Sequence, residues 1–336
     1  IYQGLALAAP LGTDVRDLDR LTEAWLMVVC GRDAEAESVL QELIQRPEQR
    51  AAALEALAGR ELETRRNDAA TRHYTELGKA GDRAGAQFGL ATLAERSGDT
   101  ERAAALFSAI ASGRHAIEAQ LRAYRLHVST DGPDIADRVL DEFVYANPDL
   151  RRDLSSMRML TLAELGQTEA ALSLGARVMK AFPDAEELVR AQAEVLVRAG
   201  RSREAVALLE SLLKRRPGDP AAQNALGYTL ADANVDLQRA QKLLEAACAQ
   251  APDNAAYLDS LGWLRYRQGR SGPARELLDR AYHLQPDAEI AVHLAHAIAD
   301  TGLLEEAQQV IDSALIRHPR DPNLLRWRDE RQKAKP

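Results

Sequence analysis

Six prolines stand at near-fixed intervals along the second half of the chain: Pro148, Pro183, Pro217, Pro252, Pro286 and Pro319, separated by 35, 34, 35, 34 and 33 residues. An interval of about 34 residues holds two short helices and a turn. One such unit cannot bury its apolar face alone, so a chain built this way must stack its units into an array with a shared core. Length by itself would suggest two globular domains. The repeat overrides that prior and predicts one elongated all-α stack.

Other residues keep the same phase. The unit from Ala255 has Leu258, Leu261 and Gly262 in its first helix and Gly269 at the turn, then Ala274, Leu278 and Ala281 before Pro286. The next gives Leu294, Ala295, Gly302, Ala307, Ile311, Ala314 and Pro319; the preceding one gives Leu226, Gly227, Ala240, Leu244, Ala247 and Pro252, with one residue inserted between Asp232 and Asp236. Earlier units match through Ala193, Gly200, Ala205 and Leu209, and through Met159, Gly166, Ala171 and Val178. Nine units are expected to start near residues 17, 51, 84, 117, 152, 186, 220, 255 and 288. Small residues suit a close helix crossing. Gly supplies the positive φ that ends a helix, and Pro cannot continue the helix before it. The combination resembles the tetratricopeptide repeat. That resemblance implies a right-handed superhelical solenoid of about nine helix pairs with a C-terminal capping helix, 19 or 20 helices in all, and a role in binding proteins.

Composition excludes several alternatives. No run of alternating β-branched residues suggests a sheet. Net charge is 43 minus 51, or −8, against the basic face that nucleic acid requires and mildly against an anionic lipid surface. The longest apolar stretch, Ala24 to Cys30, is far too short to span a bilayer.

Four regions are expected within one continuous solenoid: a remnant of a preceding repeat over 1–16, divergent repeats over 17–151, regular repeats over 152–319 and a capping helix over 320–336. The chain opens at Ile1 without Met or a charged leader, and its own start is expected to lie upstream. Asn323 to Lys335 reads as a charged helix with Leu324, Leu325 and Trp327 as its apolar face. Cys30 and Cys248 stand roughly six repeats apart, too far for a disulfide, and are expected as buried small hydrophobes.

Catalytic motifs are nearly lacking. The sequence has no G-x-S-x-G, H-E-x-x-H, P-loop or G-x-G-x-x-G. Ser211 and Lys214 spell S-x-x-K in mid-helix, a packing and solvent position. His293 and His296 are one turn apart and could share a metal, but no third ligand is placed with them. No catalytic residue, metal or cofactor is expected.

In the tetratricopeptide family, positions 2, 5, 9, 12 and 13 of each unit face a concave groove. Transferred here, they give Asn224, Tyr228 and Asp232, then Asp259, Trp263, Tyr266 and Arg267, then Val292, His296 and Asp300. Rings supply rigid apolar contact and Asn can bond a peptide backbone. The alternative is that Trp263 and Tyr228 only pack between neighbouring helices. Glu187, Arg190, Glu194 and Arg198 of the middle units are equally an internal ion-pair ladder.

A narrower resemblance covers about residues 220–320. The segments Asn224 to Asp232, Leu258 to Arg267 and Ala281 to Leu294 look like the C-terminal signature of a family of Gram-negative tetratricopeptide lipoproteins, periplasmic and held at the outer membrane. What it implies is a non-enzymatic adaptor that binds a carboxyl-terminal processing protease and brings it cell-wall hydrolases, with the membrane reached only through an N-terminal lipid anchor. A cytoplasmic chaperone or assembly module, and an enzyme whose catalytic domain lies upstream, stay open. The contrast between regular and irregular units suggests two partners: one clasped around residues 186–300, another on the N-terminal third.

Overall fold

The computed structural model describes residues 15–319 and 321–333. Among them are 19 α-helices and no strand. The expected remnant over 1–16 lies outside the described residues except for Val15 and Arg16, which open the first helix.

The helices form two compact units, divided after Ala170. The first holds α1 (Val15–Val29), α2 (Asp33–Ile44), α3 (Arg50–Glu63), α4 (Asn67–Lys79), α5 (Arg83–Ser97), α6 (Thr100–Ser108), α7 (Ala116–Thr130), α8 (Pro133–Ala146) and α9 (Arg151–Glu164). α10 (Thr168–Ala181) spans the division. The second unit continues with α11 (Glu186–Arg198), α12 (Ser202–Arg215), α13 (Pro220–Asp232), α14 (Leu237–Gln250), α15 (Ala255–Arg267), α16 (Ser271–Leu284), α17 (Ala288–Asp300), α18 (Leu304–Arg317) and α19 (Pro322–Lys333). From α1 to α9, and again from α11 to α19, every helix packs on the next. First helices also pack on first helices: α3 on α5, α13 on α15, α15 on α17.

The core of the second unit repeats along its second helices, beginning with Ala205, Leu209 and Leu212 of α12. Ala240, Leu244 and Ala247 of α14, Ala274, Leu278 and Ala281 of α16, and Ala307, Ile311 and Ala314 of α18 are all at most 1% exposed. Spacing i, i+4, i+7 places each trio on one helix face. Opposite them sit Gly227, Gly262 and Ala295. A Cβ added to Gly262 would stand 2.6 Å from Leu278 Cγ, and one added to Gly227 would stand 2.6 Å from Leu244 Cγ. The glycines therefore set how closely each pair can cross.

Helix starts and ends follow local chemistry. Asp219, Asn254 and Asp287 accept backbone N–H bonds at the first turns of α13, α15 and α17, satisfying donors that a helix start leaves unpaired. Gly269, with φ +73°, ends the α15 turn. Two turns manage without glycine: Arg65 takes φ +58°, and Asn234 and Asp236 take φ +55° and +44°, absorbing the residue inserted after α13. Leu324 and Trp327 of α19 are buried against the α17–α18 pair, closing that core with one face.

The cysteines depart from expectation. Cys30 is exposed, because α1 ends at Val29 and Cys30 falls in the following turn. Cys248 is only partly buried; it flanks the apolar column of α14, donates to the Tyr257 carbonyl at 3.3 Å, and burial pushes its thiol up to about 11.

Candidate partner-binding face

The residues singled out by the repeat register lie on three adjacent first helices of the second unit: Asn224, Tyr228 and Asp232 on α13, Asp259, Trp263, Tyr266 and Arg267 on α15, and His296 on α17. Seven of the eight belong to one connected cluster. Trp263 is the hub. Its ring stacks on His293 at 4.2 Å and on Tyr266 at 5.0 Å, and tilts against His296 at 6.2 Å. The Arg267 guanidinium lies 5.7 Å from the Trp263 ring centre, in reach of its negative face. The Trp263 indole N–H donates to Asp232 at 3.3 Å. Trp263 is 9% exposed, so the packing role weighed for it is real: this ring joins α15 to α17. Tyr228, half-buried, tilts against His293 at 6.3 Å and donates its hydroxyl to Glu289 at 2.8 Å. Burial, with the nearby Glu289 and Asp232 charges, raises its pKa and keeps it a donor. Asn224, one turn before Tyr228, buries its amide oxygen with no partner among the described residues.

Three contributors escaped the sequence reading of this face. His293 is 6% exposed, and its Nδ1 lies 2.9 Å from Asp259 Oδ1, Asp259 being 7% exposed. Burial works against its charge, but the Asp259 carboxylate, aided by Glu289 and Asp232, wins and raises the imidazole pKa. His296 is lowered, first by burial and then by the His293 charge. The two histidines thus serve different ends. Among the described residues no group of three His, Cys, Asp or Glu side chains is placed to hold a metal ion. Glu289 and Trp327 are the other two contributors. Trp327 meets His296 edge-on at 6.4 Å. Asp259 and His293 are 34 residues apart, one repeat, and an acid and a histidine at that separation on a buried face were the available signal.

α17 and α19 frame a cleft of about 360 Å³ lined by Asp232, Trp263, Glu289, His296, Trp327 and Glu330, among others. The middle-unit ladder is partly formed: Arg198 bonds Glu194 at 2.9 Å, and Arg190 stands 4.0 Å from Glu186 and 3.9 Å from Asp219.

The first unit holds its face together with charge. Arg158, 7% exposed, reaches Asp137 at 2.5 Å and Asp141 at 2.7 Å, with Tyr124 donating to Asp137 at 2.9 Å. Arg122 covers Phe107 at 4.4 Å and Phe88 at 5.3 Å. Ser108, His127 and Asp131 fall in line, Oγ to Nε2 3.2 Å and Nδ1 to Oδ2 2.7 Å. The Ser108 hydroxyl also bonds the Ala104 carbonyl at 2.8 Å, and one proton cannot serve both. The line ties the end of α6 to α7.

Residues 162–227 match one family model described as tetratricopeptide repeat, and residues 233–289 and 260–322 match another. The chain carries tetratricopeptide repeats. It is 32% identical over 209 residues to the TPR repeat-containing protein PA4667 of Pseudomonas aeruginosa, covering 62% of this chain and 35% of that protein. It is 28% identical over 144 residues to the mouse protein O-mannosyl-transferase TMTC1, covering 42% of this chain and 15% of that one. The chain thus spans about a third or less of the length of these curated relatives. Among solved structures, TTC0263, a thermophilic TPR protein in Thermus thermophilus, is 25% identical over 53% of this chain and 97% of its own, with a TM-score of 0.47. MamA of Desulfovibrio magneticus is 20% identical over 51% of this chain and 97% of its own, with a TM-score of 0.37.

Proposed function

We propose that this tetratricopeptide protein is a non-enzymatic adaptor of the periplasm, anchored at the outer membrane through a segment upstream of this chain. The first-helix face of the second unit takes an extended segment of a cell-wall hydrolase, and the first unit docks a carboxyl-terminal processing protease. The observation that carries the binding role is the continuity of the Tyr228–His293–Trp263–Tyr266 ring cluster across three successive first helices. Its side chains are fixed by packing before any partner arrives, which lowers the ordering cost of binding. The buried Asn224 oxygen adds an acceptor suited to a backbone N–H. The protease and hydrolase assignments rest on the sequence signature over 220–320. Bringing both to one scaffold raises the effective concentration of substrate at enzyme.

The test is reconstitution from purified components. The chain, the protease and a hydrolase substrate should co-elute as a ternary complex, and the protease should degrade the hydrolase faster with the chain present. Failure of the chain to bind either protein would overturn the assignment.

A further inference from the structure

The α17–α19 cleft has the makings of a cation site. Its lining carries three carboxylates, Asp232, Glu289 and Glu330, and one guanidinium, Arg326, while Arg267 and Arg331 stand at its rings. The carboxylates have no Lys or Arg ion-pair partner among the described residues. Two of them are held by ring donors: Asp232 accepts from the Trp263 indole at 3.3 Å, and Glu289 accepts from the Tyr228 hydroxyl at 2.8 Å. Such bonds fix where the carboxylate oxygens point, and burial raises the Glu289 pKa, a penalty on its charge that an entering cation offsets. The histidines add no net positive charge to oppose a cation. His293 is matched by Asp259 at 2.9 Å, and His296 is kept neutral by burial and by the His293 charge.

The rings complete the set. Trp263, His296 and Trp327 line the same cleft. The chain's own cations already rest on two of them, Arg267 at 5.7 Å from the Trp263 centre and Arg331 at 5.5 Å from the Trp327 centre. Aromatic faces beside carboxylates attract a desolvated cation more strongly than either alone. A volume of about 360 Å³ admits a long basic side chain and a short stretch of its backbone. The Trp327 indole N–H, buried without an acceptor among the described residues, leaves a donor that a peptide carbonyl can satisfy once the side chain adjusts.

From this geometry we infer that the α17–α19 cleft is a specificity pocket for an arginine or lysine side chain of the extended segment bound on the first-helix face. The inference rests on the binding role proposed above for that face and adds the chemistry of the residue selected. It also orients the segment: its basic residue sits at the capped end, beside α19, and the rest runs back across α15 and α13.

Trp25, Trp263 and Trp327 are the three tryptophans of the chain, so Trp25→Phe leaves reporters only at the cleft. This protein is titrated with three alanine–leucine nonapeptides that differ only at the central residue: arginine, norleucine or glutamate. The arginine peptide should change the tryptophan emission saturably and bind at least tenfold more tightly than the norleucine peptide, with glutamate weakest. The combined Asp232→Asn, Glu330→Gln variant should erase the arginine preference while its helical circular dichroism stays unchanged. Equal or tighter binding of the norleucine or glutamate peptide overturns the pocket but leaves the face as a binding surface. A preference that survives the double variant also overturns it. Silence with all three peptides overturns the pocket, and protection of α13, α15 and α17 by intact hydrolase then decides whether the broader reading falls with it.

Discussion

In the second unit, α14, α16 and α18 repeat the same buried trio, and Gly227 and Gly262 let their first helices come so close that an added Cβ would stand 2.6 Å from Leu244 and Leu278. In the first unit the equivalent positions are Ala24, Ala58, Ala91, Tyr124 and Met159, all buried, and polar pairs are added beside them: Arg158 between Asp137 and Asp141, Glu61 facing His73 at 2.6 Å, Gln120 donating to the Ser108 and Ile110 carbonyls at 2.8 and 3.1 Å. Both units are held by apolar packing, with buried trios such as Ala36, Leu40 and Leu43 in the first, and the first unit adds more paired charge and hydrogen bonds. Shape repeats, because each helix pair meets the next with the same small and large residues. Charge pairing is particular to its site, since a buried guanidinium is tolerated only where carboxylates meet it. A periodic face suits an extended segment; an irregular one offers distinct local features to a folded partner.

The largest expected effect tests the shape side. Gly262→Leu should destabilise the second unit by about 3 kcal/mol, because a branched side chain must enter a crossing that leaves no room for a Cβ. A urea midpoint unchanged from the parent would show that α15 and α16 can separate freely. Next comes the charge side. Arg158→Ala should cost about 2 kcal/mol, by stranding Asp137 beside Tyr124; the figure is held down because Asp141 is exposed and water screens it. Replacement without loss would mean that the first unit is held by its apolar contacts alone.

A smaller effect is expected from the Asp259–His293 pair. The His293 pKa is raised in the folded state above its ordinary 6.5, so its contribution is complete below about pH 6.5 and is lost as pH rises through the folded value. Asp232, Glu289 and Asp259 favour the proton, and burial opposes it. The melting temperature of the second unit should therefore fall on that alkaline side, and Asp259→Asn should flatten the slope. A slope that persists in Asp259→Asn would assign it to other groups. The smallest effect is in a turn. Arg65 holds φ +58°, and Arg65→Gly should stabilise the first unit by about 0.5 kcal/mol, strain relief slightly exceeding the entropy that glycine loses. Destabilisation would mean that the Arg65 stem contributes packing there.

The fold was legible because a repeat supplies many readings of one pattern. Starts expected near 17, 51, 84, 117, 152, 186, 220, 255 and 288 meet helices beginning at Val15, Arg50, Arg83, Ala116, Arg151, Glu186, Pro220, Ala255 and Ala288. The phase held even where Asn234 and Asp236 absorb an insertion. The face was legible residue by residue but not as a cluster. His293 sits one position from the register that named Val292 and His296, and its role depends on Asp259 one repeat earlier. Trp327 reads from sequence as part of the cap; only packing shows that its other edge meets His296. Cys30 was misplaced because burial at a helix end turns on where the helix stops, the least certain feature of any sequence pattern.

The most direct test of the binding face is hydrogen–deuterium exchange of the chain alone and bound to the purified hydrolase. Slowed exchange is expected in segments covering 224–232, 259–267 and 289–296, with the second-helix segments 240–247, 274–281 and 307–314 unchanged. Protection confined to the second helices, or to residues 15–170, would contradict a first-helix binding face in the second unit.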